Sequence, residues 1–211
     1  MFPGFQALDV FGPLDALNML SMSHKMELAV IARSLEPVST KVNSPTSKAQ
    51  SPEFAQSIIP THTFETCPAL DVLIVPGGMG TRGDDLNDII AFIKARYPSC
   101  EYLITVCTGA SLAARSGVLD GKRATTNKNA FAWVKSTGPK VHWIGHARWV
   151  TDGNIWTAAG VAAGIDCVLA WMEAVYGRDM ATKIANMMEY EQHTDPSWDP
   201  FAKLHNLPAD T

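Results

Sequence analysis

Two almost wholly apolar runs, "DVLIVPGG" (residues 71–78) and "EYLITV" (101–106), flank "NDIIAFIKARY" (87–97), where Ile89, Ile90, Phe92 and Ile93 recur at helical spacing. Strands without a polar face must be covered on both sides, and a helix between two of them makes the pair parallel. The second run passes straight into "GASLAARSG" (109–117), a small-residue helical pattern stopped by Gly117. "MELAVIA" (26–32) is expected to add another strand. The alternation demands an α/β fold with a mostly parallel sheet and helices on both faces.

The second half continues the pattern. "HARWVTDGNIWTAAG" (146–160) holds two β-rich runs around Asp152-Gly153, a strong hairpin signal. "AGIDCVLAWMEAVYG" (163–177) is expected to be a long helix closed by Gly177, and "RDMATKIANMMEYEQH" (178–193) another. The turn-rich tail is expected to pack Trp198 and Phe201 back onto the domain. Trp133, Trp143, Trp149, Trp156 and Trp171 serve either an interface or internal packing. With 211 residues, 46% hydrophobic, and no repeat, low-complexity tract or linker, one domain over 1–211 is the expectation.

Charge narrows the partners. A formal net charge of -4 with scattered Lys and Arg argues against nucleic acid. No apolar run approaches the roughly 20 residues that span a bilayer. The start, "MFPGFQALDV", lacks the basic and apolar regions of a secretory signal. Cys67, Cys100, Cys107 and Cys167 have neither zinc nor CxxC spacing, which fits a reduced, cytoplasmic protein with no metal site.

Chemistry gathers at the carboxyl ends of the strands, where ligands bind in such sheets. Cys107 stands where a strand hands over to a helix, a position that lowers a thiol's pKa. Gly77 and Gly78, in "PGG", let the chain turn so that their N–H groups join that of Thr108 as oxyanion donors. Asp9 interrupts the apolar loop "FQALDVFGP" (5–13). It is either an acid beside the sulfur or the N-cap of a helix beginning near Phe11-Gly12-Pro13. Singly each signal is weak, and Cys67, Cys100 and Cys167 read as small core residues. Their shared edge is what raises Cys107 and Asp9 above that background.

The stretches "FPGFQALDVFGPLDAL", "LDVLIVPGGMG", "VCTGASLAARSGVLDGKRATT", "VTDGNIWTAAGVAAGID" and "MEYEQHTDPSWDPF" together resemble the DJ-1/PfpI (ThiJ) superfamily, closest to its isocyanide hydratase-like branch. The resemblance implies a flavodoxin-like α/β sandwich, related to class I glutamine amidotransferases and usually a homodimer. It places Cys107 as nucleophile on a strained elbow, Asp9 as the acid, and the Gly78 and Thr108 amides as the oxyanion hole. The implied activity is a cofactor-free hydro-lyase that adds water to a small isocyanide, giving an N-formamide. Phe5, Leu8 and Trp156 would line its pocket.

Departures from the family pattern weigh on the rivals. Protease-like members carry His after the nucleophile, where this chain has Thr108. Glyoxalase-like members carry His after the "RATT" strand, where this chain has Asn127. His142 and His146 read as surface or structural, and His193 lies in the terminal turns. A glyoxalase or deglycase acting on small aldehydes, and a redox-responsive protein with an oxidisable Cys107, remain as alternatives. Regulators of the AraC type add a helix-turn-helix module, which this sequence lacks. Family members also carry one more apolar strand ahead of "FPGF", so either that strand is missing or another segment fills its place.

Overall fold

The computed structural model describes residues 1–42, 51 and 53–207. In chain order its elements are α1 (Ala7–Ser21), β1 (Ile31–Ala32), β2 (Val38–Ser39), β3 (Ser57–Ile58), β4 (His62–Thr63), β5 (Val72–Val75), α2 (Asn87–Arg96) and β6 (Tyr102–Val106). There follow α3 (Gly109–Arg115), β7 (Arg123–Ala124), α4 (Phe131–Thr137), β8 (His142–Trp143), β9 (Trp149–Asp152), β10 (Ile155–Ala158), α5 (Ala163–Tyr176), α6 (Arg178–Met187) and α7 (Pro200–Leu204).

The main sheet runs β5-β6-β10-β9. β5, β6 and β10 are parallel, and β9 returns antiparallel through Gly153-Asn154, with Asp152 opposite Ile155. The two-residue period of each strand divides its side chains between two cores. Leu73, Val75, Leu103 and Ile155 pack with α2, α3 and α4, whereas Ile104, Val106, Trp156 and Ala158 pack with α1, α5 and α6. Both faces are covered, as the unbroken apolar runs require. Trp143, Trp149, Trp156 and Trp171 are buried in these cores, so their role is internal packing.

Several expectations need correction. Of "MELAVIA" only Ile31–Ala32 is strand, paired with His62–Thr63 alone, and Leu28 is largely exposed. Val30 O accepts the Thr61 and His62 N–H groups, and among the described residues 26–29 make no backbone bond that would carry the ladder further. α6 stops at Met187 rather than reaching 193. Glu189 takes a left-handed φ of 50°, Tyr190 N–H bonds to Ala185 O, and Glu189 N–H bonds to Asn186 O. That is a Schellman stop made without glycine. In the tail, Trp198 and Phe201 are exposed, and among its described residues the buried ones are Asp199 and Ala202.

Among the described residues no strand lies on the outer edge of β5. Residues 1–6 instead tie the small sheets to the turn after β5. The Met1 amino group donates to Ile31 O, Gly4 N–H to Ser39 O and Gln6 N–H to Gly77 O. Among the described residues no helix is long and apolar enough to cross a membrane.

Candidate active site

Cys107 follows directly on β6 and has φ 56°, a left-handed backbone that costs a non-glycine residue about 1–2 kcal/mol. The surroundings hold it there. Cys107 N–H donates to Ala158 O at 3.2 Å, continuing the β6–β10 ladder, and Thr126 Oγ1 donates to Cys107 O at 2.7 Å. Gly109 lets the elbow press against β5, since a Cβ there would lie 2.3 Å from Val75 O. So held, the thiol interacts with the carboxyl of Asp9, in the first turn of α1.

Asp9 is not in a loop, nor is it an N-cap. α1 begins at Ala7, after Gln6, and Asp9 lies in its first turn. Pro13 does not mark the start of this helix but sits inside it, with no N–H to offer the Asp9 carbonyl. The Asp9 side chain is fully buried, and its Oδ2 accepts the Gly77 N–H at 2.8 Å. Oδ1 is buried without a hydrogen-bond partner, and the carboxyl interacts with the Cys107 thiol. Burial drives the carboxyl pKa up to about 7, against the opposing pull of Gly77 N–H and the thiol.

The thiol also moves upward, to about 12, through burial first and the nearby Asp9 charge second. The elbow was expected to lower it. Thr108 N–H and the Asn127 side chain do pull in that direction, but loss of water and a neighbouring carboxylate outweigh them. Asp9 and Cys107 are therefore a coupled pair in which one negative charge is tolerable and two are not.

The glycine amides are engaged inside the elbow rather than free for an oxyanion. Gly77 N–H is held by Asp9, and Gly78 N–H donates to Thr108 Oγ1 at 2.9 Å. Buried donors must be paired, and these two side chains supply the acceptors. Thr108 Oγ1 also lies 3.0 Å from the Thr81 hydroxyl. Gly78 has φ 129°, and a Cβ there would strike Gln6 N and Gly4 O at 2.4 Å, so only glycine fits. The amide that acts on the sulfur is that of Thr108.

Asn127 also acts on the thiol. Its Oδ1 accepts Ala130 N–H at 3.1 Å, which leaves its amide nitrogen for the Cys107 thiol. In sequence it stands out only as the residue that takes the place of the family's histidine after the "RATT" strand. His142 and His146 are exposed, and His193 stacks on Trp198 at 3.8 Å. The other cysteines are free thiols in the core, with Cys167 fully enclosed.

Of the residues expected to line a pocket, Phe5 is buried beside a cavity of about 200 Å³ that it shares with Gly4, Gln6, Ala7, Thr40, Val42, Gln56 and Met79. Trp156 belongs to the core, and Leu8 is exposed on α1. Among the described residues no group of three or more His, Cys, Asp or Glu side chains is arranged to hold a metal ion.

A mostly parallel sheet between two helical layers, with a cysteine on a strained strand-to-helix elbow beside a buried acid, defines an α/β sandwich with a cysteine elbow. The family model for DJ-1/PfpI matches residues 1–174, and the chain belongs to the DJ-1/PfpI family. It is 32% identical over 204 residues to isonitrile hydratase of Pseudomonas putida, covering 90% of this chain and 76% of that one. It is 29% identical over 135 residues to the HTH-type transcriptional regulator GbdR of Pseudomonas aeruginosa, matching 64% of this chain and 36% of the regulator. Among solved structures it is similar to a ThiJ/PfpI family protein from Pseudomonas syringae, with TM-score 0.71 and 30% identity over 94% of this chain and 75% of that one.

Proposed function

We propose that the protein is a cysteine-dependent hydratase acting on a small isocyanide. The observation that carries the reading is the Asp9–Cys107 pair, one buried acid and one buried thiol on a strained elbow, competing for a single proton. The likeness to an isonitrile hydratase along nearly the whole chain supports the choice of substrate class.

Cys107 Sγ attacks the terminal isocyanide carbon as its proton passes to Asp9. Asp9 then delivers that proton to the same carbon, giving a thioimidate, S–CH=N–R. Asp9 takes a proton from water as the hydroxide adds to the thioimidate carbon and passes that proton to the nitrogen. Collapse of the tetrahedral adduct breaks the C–S bond, returns the proton to sulfur and releases R–NH–CHO. Splitting one hard addition into two steps is the gain from covalent catalysis. A carboxyl that titrates near pH 7 suits both the acid and base roles. Thr108 N–H and Asn127 steady the charge on sulfur as the bond to carbon forms and breaks.

The high pKa of Cys107 weighs against a peroxide sensor, which reacts as a standing thiolate, whereas the hydratase route takes the thiol's proton onto Asp9 as the bond to carbon forms. Among the described residues no histidine acts on the sulfur, which weighs against a glyoxalase. We assign the protein to the cytoplasm on its free cysteines, and to a homodimer that covers the exposed Leu8 and Phe11 of α1. The test is formamide production from a small alkyl isocyanide by wild type and Cys107→Ala. Turnover by wild type alone is expected; equal turnover by both would remove the thiol from the chemistry.

A further inference from the structure

The loop that presents Asn127 to the sulfur is fastened from behind by the C-terminal tail. Lys128, the next residue, is buried, with its Nζ 2.6 Å from Thr125 Oγ1 and 3.2 Å from Asp199 Oδ2. Both side chains of the ion pair are at most 3% exposed. Asp199 is also the N-cap of α7, its Oδ1 accepting Phe201 N–H at 3.1 Å and Ala202 N–H at 3.2 Å. Lys128 Nζ is the sole polar contact of Asp199 Oδ2 among the described residues.

An ammonium and a carboxylate are costly to remove from water, and a pair this buried is weak evidence for stability alone. Its position gives it another use. Thr125, Thr126 and Asn127 reach three different parts of the elbow's surroundings. Thr125 N–H donates to Thr157 Oγ1 on β10, Thr126 Oγ1 to Cys107 O, and the Asn127 amide acts on Cys107 itself. A second tether fixes the same tail, since Arg148 N–H donates to Pro196 O at 2.7 Å.

We infer that Asp199 is a positioning residue for the reactive thiol: through Lys128 it clamps the 125–128 loop so that Asn127 stays aimed at Cys107. The tail is then a working part of the site although none of it touches the sulfur. This rests on reading Cys107 as the reactive thiol, but not on the identity of its substrate.

The test reads Cys107 directly, by the pH profile of its alkylation by iodoacetamide, with labelled peptides resolved by mass spectrometry. Lys128→Met combined with Asp199→Asn opens the clamp without leaving one buried charge to act on the thiolate through space, and Asn still caps α7. Alkylation at pH 8 is expected to slow about tenfold, the effect of losing one hydrogen bond to an anion. The profile shifts toward higher pH, because Asn127 favours the thiolate while Asp9, the charged group beside the sulfur, is untouched. In an Asn127→Ala background the same pair of changes is expected to do nothing further. Wild-type alkylation in the opened clamp, or effects that multiply with Asn127→Ala, would overturn the inference. If the pair fails to fold by circular dichroism, Asp199→Glu, which keeps the charge and moves it, is judged by the same two criteria. Because alkylation needs no isocyanide, failure of the hydratase reading leaves this readout intact.

Discussion

Gly77 holds Asp9 by a 2.8 Å hydrogen bond from its N–H to Oδ2, and the carboxyl so held is, after burial, what most raises the pKa of Cys107. The turn after β5 thereby holds the charge that acts on the pKa of a cysteine after β6. Asp9→Asn separates the two effects of that carboxyl, since the amide oxygen still accepts the Gly77 N–H but carries no charge. Alkylation of Cys107 at pH 8 is expected to speed up as its pKa falls. Isocyanide turnover is expected to drop about 10²–10⁴-fold for lack of a proton carrier. Undiminished turnover in this variant would show that the proton travels another way.

The same substitution has a signature in stability. The Asp9 pKa stands at about 7 in the folded protein against 3.8 for the free side chain, so between those values the folded state holds a proton that the unfolded state has lost. Stability therefore falls as pH rises through this window; the stabilising contribution is complete below it and gone above it. Wild type is expected to lose at most about 4 kcal/mol relative to Asp9→Asn between pH 4 and pH 8. Urea midpoints of both proteins across that range measure the difference. Parallel curves would mean that the carboxyl is not held in a dry site.

The sheet was legible because β5 and β6 are apolar on both faces, and burial on both faces leaves little choice of architecture. The elbow was legible for a related reason: a strand run and a helical run meet at Cys107 with nothing between them. Asp9 was visible as a charge in an apolar segment, but its helix was not, because Pro13 ordinarily marks the first turn and here lies inside. The glycine amides were read as free because their acceptors, Asp9 and Thr108, come from distant parts of the chain. The thiol's pKa went the opposite way for the same reason, since burial is a property of the assembled site and not of residues 105–111. Lys128 and Asp199 carry no local signal at all. Two charged residues 71 positions apart in sequence look solvated until the fold joins them.

The strain at Cys107 predicts an inverted order of stability. Gly is normally worse than Ala in a buried, ordered position, but at φ 56° it relieves about 1–2 kcal/mol while giving up a methyl group worth about 0.8 kcal/mol. Cys107→Gly is expected to unfold at higher urea than Cys107→Ala. The reverse order would mean that the elbow relaxes once the thiol is removed.

Thr108 offers a test of the hydroxyl that the family comparison would pass over. Its Oγ1 is the acceptor for Gly78 N–H and the neighbour of the buried Thr81 hydroxyl. Thr108→Ser keeps both contacts and is expected to be close to wild type. Thr108→Val leaves the half-buried Gly78 N–H without its acceptor and is expected to cost about 1 kcal/mol in chemical denaturation. Equal stability of the two variants would show that water or a shifted loop replaces the hydroxyl.

A second buried ion pair joins Arg148, just before β9, to Asp166 of α5 and gives a contrast of the same kind. Arg148 Nε and Nη2 meet Asp166 Oδ2 at 2.6 and 2.5 Å, with Asp166 fully buried and its Oδ1 accepting His193 N–H at 3.0 Å. Arg148→Met leaves a carboxylate alone in the interior and is expected to cost about 3–5 kcal/mol. Adding Asp166→Asn removes that charge while still accepting from His193, so the double variant is expected to recover most of the loss. The energetic argument is that the penalty lies in the orphaned charge rather than in the lost attraction. Melting of the single and double variants at pH 7 distinguishes the two, because a double variant no more stable than Arg148→Met would place the cost in the missing guanidinium contacts, including its packing over Trp198.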